Sequence, residues 1–151
     1  MTQLNLPAYP FRTTLKEGRT MIFDASRRRW VKLTPEEWVR QHFVRYLVEE
    51  KHYPASLIAV EHSLQINRQD FRADAVVFSN AGKPLLIVEC KAPEVNITQK
   101  VFEQIVRYNF EFQVGFLIVT NGLSHFCCRI DKTNLSYEFL KEIPEYDVLI
   151  S

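Results

Sequence analysis

The chain has 151 residues, 46% of them apolar and 25% charged, with a formal net charge of +1. That length suits one domain able to bury a core without disulfide or metal staples, and the composition is that of an ordinary globular protein. No apolar run approaches the ~20 residues that span a bilayer and the N-terminus has no secretory pattern, so the expected setting is cytoplasmic.

The near-zero net charge means that any surface for a polyanion must come from clustered basic groups rather than an excess of them. Cys90, Cys127 and Cys128 form no CxxC pair and have no His or Cys at ligand spacing. A zinc site is therefore not expected, and the thiols read as core residues in a reducing compartment.

In chain order, residues 1–18 read as an extended arm that packs Tyr9 and Phe11 on the body. Met21 to Asp24 and Trp30 to Leu33 then suggest a hairpin, with Arg27, Arg28 and Arg29 at or near its tip. A solvated turn accounts for these arginines; contact with phosphate is the other reading. Thr34, Pro35 and Glu37 form a capping-box start with proline at the first helical position. Trp38, Phe43, Leu47 and their neighbours Val44 and Val48 continue it as a helical stripe ending near Lys51.

Ser56 to Ile66 is apolar on both faces and reads as a core strand, interrupted by Glu61 and His62. His62 is expected as a partly buried polar residue. Asn67 to Asp70 should turn the chain into Phe71-Arg72-Ala73-Asp74.

The centre of the sequence runs from Arg72 to Lys91. Ala73 to Ser79 and Pro84 to Cys90 are rich in β-branched and aliphatic residues, and Asn80-Ala81-Gly82-Lys83 between them is turn chemistry. On a strand, Glu89 and Lys91 leave the same face and Cys90 the other. An antiparallel hairpin would bring Asp74 near Glu89. Two carboxylates converging beside an ammonium at the end of an apolar strand are costly without a counter-ion. A hard divalent cation would supply one; a salt-bridge trio at the strand ends is the plain alternative. Arg72 should point the same way as Asp74, either to a phosphate or as the ion-pair partner of an acidic site.

Past Lys91, Ala92 to Val95 read as a loop. Asn96 and Gln99 suggest a second capping box opening a helix over Ile97 to Phe112. Gln104 and Tyr108, four apart, share one helix face. Val114 to Thr120 is a further apolar strand, and a right-handed crossover would lay it parallel to the Glu89 strand. After an Asn121-Gly122 turn, His125 to Ile130 and Tyr137 to Lys141 read as an extra antiparallel pair.

Asp74, then Glu89-Cys90-Lys91 at the end of a hydrophobic strand, resembles the PD-(D/E)xK phosphodiesterase superfamily, although Ala73 stands where that pattern often has proline. Gln104-x-x-x-Tyr108 and the Val119-Thr120-Asn121-Gly122 turn are similar to the N-terminal nuclease domain of type I restriction R subunits, a domain those subunits attach to a helicase motor. The likeness covers roughly Thr34 to Ile130.

The resemblance implies a restriction-endonuclease-like αβββαβ core with a mixed central sheet flanked by helices. Residues 1–33 would be an N-terminal arm and hairpin, 34–130 the core, and 131–151 a C-terminal extension of a single stand-alone domain. It further implies a metal-dependent endonuclease acting on DNA. Asp74 and Glu89, with the Cys90 carbonyl, would hold Mg²⁺ or Mn²⁺. Lys91 would orient the attacking water, and Gln104 and Tyr108 would orient Lys91 or the strand being cut. Glu37, or Glu49, would be the first-helix glutamate that joins the metal site, although the helix cap also accounts for Glu37. A homodimer or a helicase or specificity subunit would be the partner. The alternative from another class is a catalytically inactive nucleic-acid-binding or assembly module on the same fold.

Overall fold

The computed structural model describes residues 1–66 and 68–151, leaving aside the side chains of Ile66 and Gln69. Strands β1 (Thr13–Lys16), β2 (Arg19–Asp24) and β3 (Arg29–Lys32) form a small antiparallel sheet in that order. The expected hairpin therefore gains a third strand from the supposed arm. Glu17 and Gly18, with φ of 52° and 76°, make the β1–β2 turn, the left-handed pair that a tight hairpin needs. Ahead of it the arm packs as expected, with Phe11 against Trp38 and His42 and Tyr9 near His42.

Helix α1 (Pro35–Glu49) begins as the sequence predicts. The Thr34 hydroxyl accepts the Glu37 N–H at 3.0 Å and proline occupies the first turn. The reciprocal half of the capping box is not what Glu37 does, because its carboxylate accepts instead from Arg27, Arg40 and Gln41.

A six-stranded sheet follows, ordered β4 (Ile58–Ile66), β5 (Gln69–Phe78), β6 (Pro84–Cys90), β7 (Phe116–Thr120), β8 (His125–Asp131) and β9 (Ser136–Leu140). All neighbours are antiparallel except β6 and β7, which pair parallel from Leu86↔Phe116 to Cys90↔Thr120. The crossover between them is helix α2 (Gln99–Asn109), continued by a 3-10 turn at Phe110–Phe112. The last two strands form the expected extra antiparallel pair, and β8 also bonds directly to β7, so the pair widens the central sheet. The turn expected over Asn67 to Asp70 falls partly on Asn67, outside the described residues, while Gln69 and Asp70 already belong to β5.

The start of α2 departs from expectation. Thr98, not Asn96, is the N-cap, its hydroxyl accepting the Val101 N–H at 3.2 Å. Ile97 then precedes the cap and Phe102 stands at the fourth helical position, both in one apolar cluster. This is a hydrophobic staple, which favours the later start.

Each helix covers one face of the sheet. Val39, Phe43 and Leu47 of α1 share a core with Ala75, Val77, Leu86, Val88 and Ile118. Phe102 and Val106 of α2 share the other with Val76, Ile87, Leu117 and Val119. At the end of the chain, α3 (Tyr146–Ile150) folds back onto the first core through Leu149. The buried Tyr53 hydroxyl donates to the Pro144 carbonyl at 2.9 Å and fixes this return. Tyr53→Phe leaves that carbonyl without its donor and should lower stability by about 1–3 kcal/mol. In urea the midpoint should fall with the slope unchanged.

Candidate active site

The site forms where two hydrogen-bond ladders part. β5 pairs with β6 up to Ala75↔Val88, whereas β6 continues with β7 through Cys90↔Thr120 and the Lys91 N–H still reaches the Thr120 carbonyl at 2.8 Å. β5 has already pulled away by then, so the Cys90 N–H would lack a strand partner. Asp74 supplies one: its Oδ2 accepts that N–H at 2.7 Å. The inward alternation of β5 also breaks here, since Phe71 and Ala73 belong to the α2-side core and Ala75 and Val77 to the α1-side core. On β4, Glu61 falls between the pairs Val60↔Ala75 and His62↔Ala73, and its φ of 50° is left-handed for a non-glycine residue, a conformation that carries strain.

The hairpin brings Asp74 and Glu89 together as the sequence predicts, near enough that each carboxyl feels the other. Burial, then the Asp74 charge, pushes the Glu89 carboxyl up to about 7, with Lys91 pulling the other way. Burial also raises Asp74, against the Cys90 N–H and the Arg40 guanidinium, which favour its charged form. Glu89 opens on a recess of about 40 Å³ lined by Phe71, Arg72, Ala73, Ile87, Tyr108 and Phe112. Tyr108 stands edge-on to Phe71 with ring centroids 4.5 Å apart. It lies near enough that, after burial, the Glu89 charge raises its phenol. Gln104 is exposed one turn earlier on the same helix. Of the α2 pair, both exposed, Tyr108 lines the recess beside Glu89 and Gln104 does not.

Behind Asp74 lies a network of charges that the sequence reading missed. Arg40 is nearly fully buried. It pairs with Glu37 and Glu61 and stands 3.5 Å from Asp74 Oδ1. Burial alone would lower its guanidinium, and Glu37 and Glu61 outweigh that and hold it protonated. Arg27 of the β2–β3 turn joins the network through Asp24 and, at 2.6 Å, Glu37. Arg72 pairs with Glu61 at 2.6 Å, which favours its reading as the ion-pair partner of an acidic site. The only local mark of Arg40 is Glu37 at helical spacing, which does not announce burial. It sits three residues after Glu37 on the buried side of an amphipathic helix, where an apolar residue is the usual occupant.

Glu37 thus reaches Asp74 only through Arg40. Glu49 pairs with Arg45 on the exposed side of α1. The α1 carboxylate whose charge acts on both Asp74 and Glu89 is Glu36, exposed in the first helical turn. The cysteines are buried and free, and burial raises all three thiols, Cys127 and Cys128 to about 12, so they are core residues. His62 is half-buried, edge-on to Phe78.

The donor set at the carboxylates is all oxygen: Asp74, Glu89 and the Cys90 carbonyl beside them. Among the described residues no three His, Cys, Asp or Glu side chains converge as a metal cage. Mg²⁺ is commonly held by one or two carboxylates with water and substrate oxygens completing the shell, and the two like charges held together here suit such an ion. These residues fit a hard divalent cation.

A mixed sheet with a helix on each face and paired carboxylates where its central strands diverge defines a restriction-endonuclease-like α/β domain. The chain belongs to the family described as "Type I restriction enzyme R protein N terminus (HSDR_N)", which matches residues 35–144. Among solved structures it is similar to a fragment described as an HsdR subunit of a type I restriction enzyme from Vibrio vulnificus YJ016. There the identity is 21% and the TM-score 0.55, over 78% of this chain and 25% of that one. The chain thus spans a quarter of the length of that relative. It is also similar to a protein described as a nuclease of the DUF820 group from Anabaena variabilis ATCC 29413. The identity is 12% and the TM-score 0.50, over 96% of this chain and 87% of that one. No curated protein matches the sequence.

Glu89 makes stability depend on pH. Its carboxyl is raised in the folded state, to about 7 from an ordinary 4.5, so the folded protein holds the proton more tightly. That contribution is complete below about pH 4.5 and is lost as pH rises to about 7, on the order of 1–3 kcal/mol. Without divalent ions, Tm should fall across this window, and Glu89→Gln should flatten the fall. Glu37→Gln should instead destabilise at neutral pH by about 3–5 kcal/mol, because it leaves Arg27 and Arg40 partly unpaired in the interior; chemical denaturation measures this.

Proposed function

We propose that the protein is a metal-dependent phosphodiesterase, an endonuclease of the PD-(D/E)xK type that acts on DNA. The observation that supports this most directly is the meeting of Asp74 and Glu89 at the open end of β6, with Lys91 next along the chain and Tyr108 beside Glu89. Family membership and the likeness to proteins described as a restriction subunit and a nuclease support the same reading.

Asp74, Glu89 and the Cys90 carbonyl would hold Mg²⁺, with Mn²⁺ able to substitute. When bound, such an ion supplies Lewis-acid stabilisation of the charge that builds on a phosphodiester in the transition state. Lys91 orients the attacking water and offsets negative charge through its ammonium. Asp74 keeps its orientation because the Cys90 N–H and Arg40 hold its two oxygens separately. Glu37 acts as a positioning residue through Arg40, with Glu36 adding negative potential at the mouth. Tyr108 and Gln104 present a hydroxyl and an amide to the strand being cut. As a member of an R-subunit family, the domain would work with DNA and with a helicase or specificity subunit, or as a homodimer.

One observation favours a second reading, a nucleic-acid-binding or assembly module without turnover. The Arg40 guanidinium already places positive charge 3.5 Å from Asp74, which would let the acidic pair persist with no ion. The two readings separate in one assay: linear, circular and single-stranded DNA incubated with Mg²⁺ or Mn²⁺. The nuclease reading expects cleavage by wild type, and a loss of about a hundredfold or more in Asp74→Ala and Lys91→Ala. Cleavage surviving in both variants would sink it. Absence of cleavage together with absence of Mn²⁺ binding by calorimetry would leave the module.

A further inference from the structure

The small N-terminal sheet lies outside residues 35–144, the part of the chain that the family accounts for, and the site described above makes no use of its outer face. Residues 12–32 contain seven Lys and Arg against two acids, Glu17 and Asp24, a net of +5 in a chain whose total is +1, so all the other residues together sum to −4. The net positive charge of this protein is therefore carried by this segment.

The strand register sorts those charges by face. Ile22 and Asp24 of β2 are buried and point toward the body. Residues 19, 21 and 23 point outward, and their cross-strand partners share that face: Lys16 opposite Arg19, Thr14 and Lys32 opposite Met21, Trp30 opposite Phe23. The outward face thus carries Lys16, Arg19 and Lys32, all exposed, around the aromatic pair Phe23 and Trp30, with no acidic side chain among the paired residues of this face. Arg12 lies over both rings, its guanidinium carbon 4.8 Å from the Phe23 centroid and 5.4 Å from that of Trp30. Trp30 is 38% exposed. Trp30 packs edge-on against Phe23, with centroids 5.5 Å apart, and still leaves part of its indole open to water among the cations.

We infer that this outward face is a binding surface for single-stranded nucleic acid, with Lys16, Arg19 and Lys32 on phosphates and an unstacked base against Trp30. Alternating cations and open aromatic faces are how proteins hold unpaired strands without reading sequence. A duplex offers phosphates to the same cations but no free base face to the indole. The choice of nucleic acid as the polyanion rests on the reading of the site given above. The sheet is also joined to that site: Arg27, in the turn between β2 and β3, pairs with Glu37, which pairs with Arg40, which contacts Asp74. A strand captured on the sheet is therefore held on a support tied to the carboxylates.

The test is binding without cleavage. Labelled oligo(dT) and a duplex hairpin of the same length are titrated by fluorescence anisotropy in EDTA, over a range of salt. Wild type should prefer oligo(dT). Lys16→Ala/Arg19→Ala/Lys32→Ala should bind it at least tenfold more weakly and reduce the slope of log K against log salt by about 2. Trp30→Ala should weaken oligo(dT) binding about fivefold or more and leave the hairpin unchanged. Equal Tm values for the variants and wild type exclude unfolding as the cause. The inference is overturned if the triple variant binds within twofold of wild type, if wild type binds neither probe at low salt, or if wild type prefers the hairpin and Trp30→Ala changes nothing. Asp74→Ala separates the two readings: loss of cleavage with oligo(dT) binding intact isolates the carboxylates from the surface. A triple variant that still binds while wild type cleaves defeats the surface alone.

Discussion

The arrangement of this protein depends on keeping four carboxylates near one another inside a fold that offers little water. Glu37, Glu61, Asp74 and Glu89 come from a helix and three strands, and Arg40 touches the first three. A buried guanidinium with three acidic partners is weak evidence for stability, because desolvating the charges offsets much of their attraction. Its effect is geometric. Arg40 fixes where α1 sits against β4 and β5, and Glu89 is the one member of the group outside its ion pairs, a charge imbalance that Lys91 only partly offsets. Burial first, and then the Asp74 charge, shift Glu89 to about 7, with Lys91 pulling the other way.

Backbone geometry creates the place where this imbalance can be used. β6 is shared between an antiparallel and a parallel neighbour, and the two ladders end at different residues. The difference exposes the last peptides of β6, and a side chain, Asp74, takes over the hydrogen bond that a backbone would otherwise make. The acidic pair is thus built into the sheet and does not rest on a mobile loop. The left-handed Glu61 on the opposite strand marks where the sheet bends to allow it. Backbone strain of this kind persists only where the surroundings hold it, and here Arg40 and Arg72 both grip the Glu61 side chain.

Most of the sheet was legible in the sequence because its strands are apolar on both faces and separated by Gly, Asn and Pro. The meeting of Asp74 with Glu89 and the parallel pairing of β6 and β7 follow from spacing along regular elements, while the approach of Tyr108 was implied by the family resemblance. What escaped were features decided by tertiary competition. Thr98 displaced Asn96 as the cap because Ile97 could staple to Phe102, and Glu37 turned from its cap toward two arginines. Arg40 was marked only by Glu37 three residues before it, and its burial is explained by the further partners brought from β4 and β5. The β1 strand was hidden in a segment read as an arm, although Glu17-Gly18 between alternating residues was a turn signal within reach.

The ion pair between Arg27 and Glu37 has a consequence for how the chain can be divided. The family alignment begins at residue 35, an inviting boundary for isolating a minimal core. Glu37 lies just inside it, only 4% exposed, and one of its two arginine partners lies outside. A fragment cut there would keep the acid and discard a cation that neutralises it, placing a poorly compensated charge beside the helix start. The first thirty-odd residues are therefore part of the electrostatic closure of the core, and a family boundary drawn from sequence similarity does not coincide with the unit that folds.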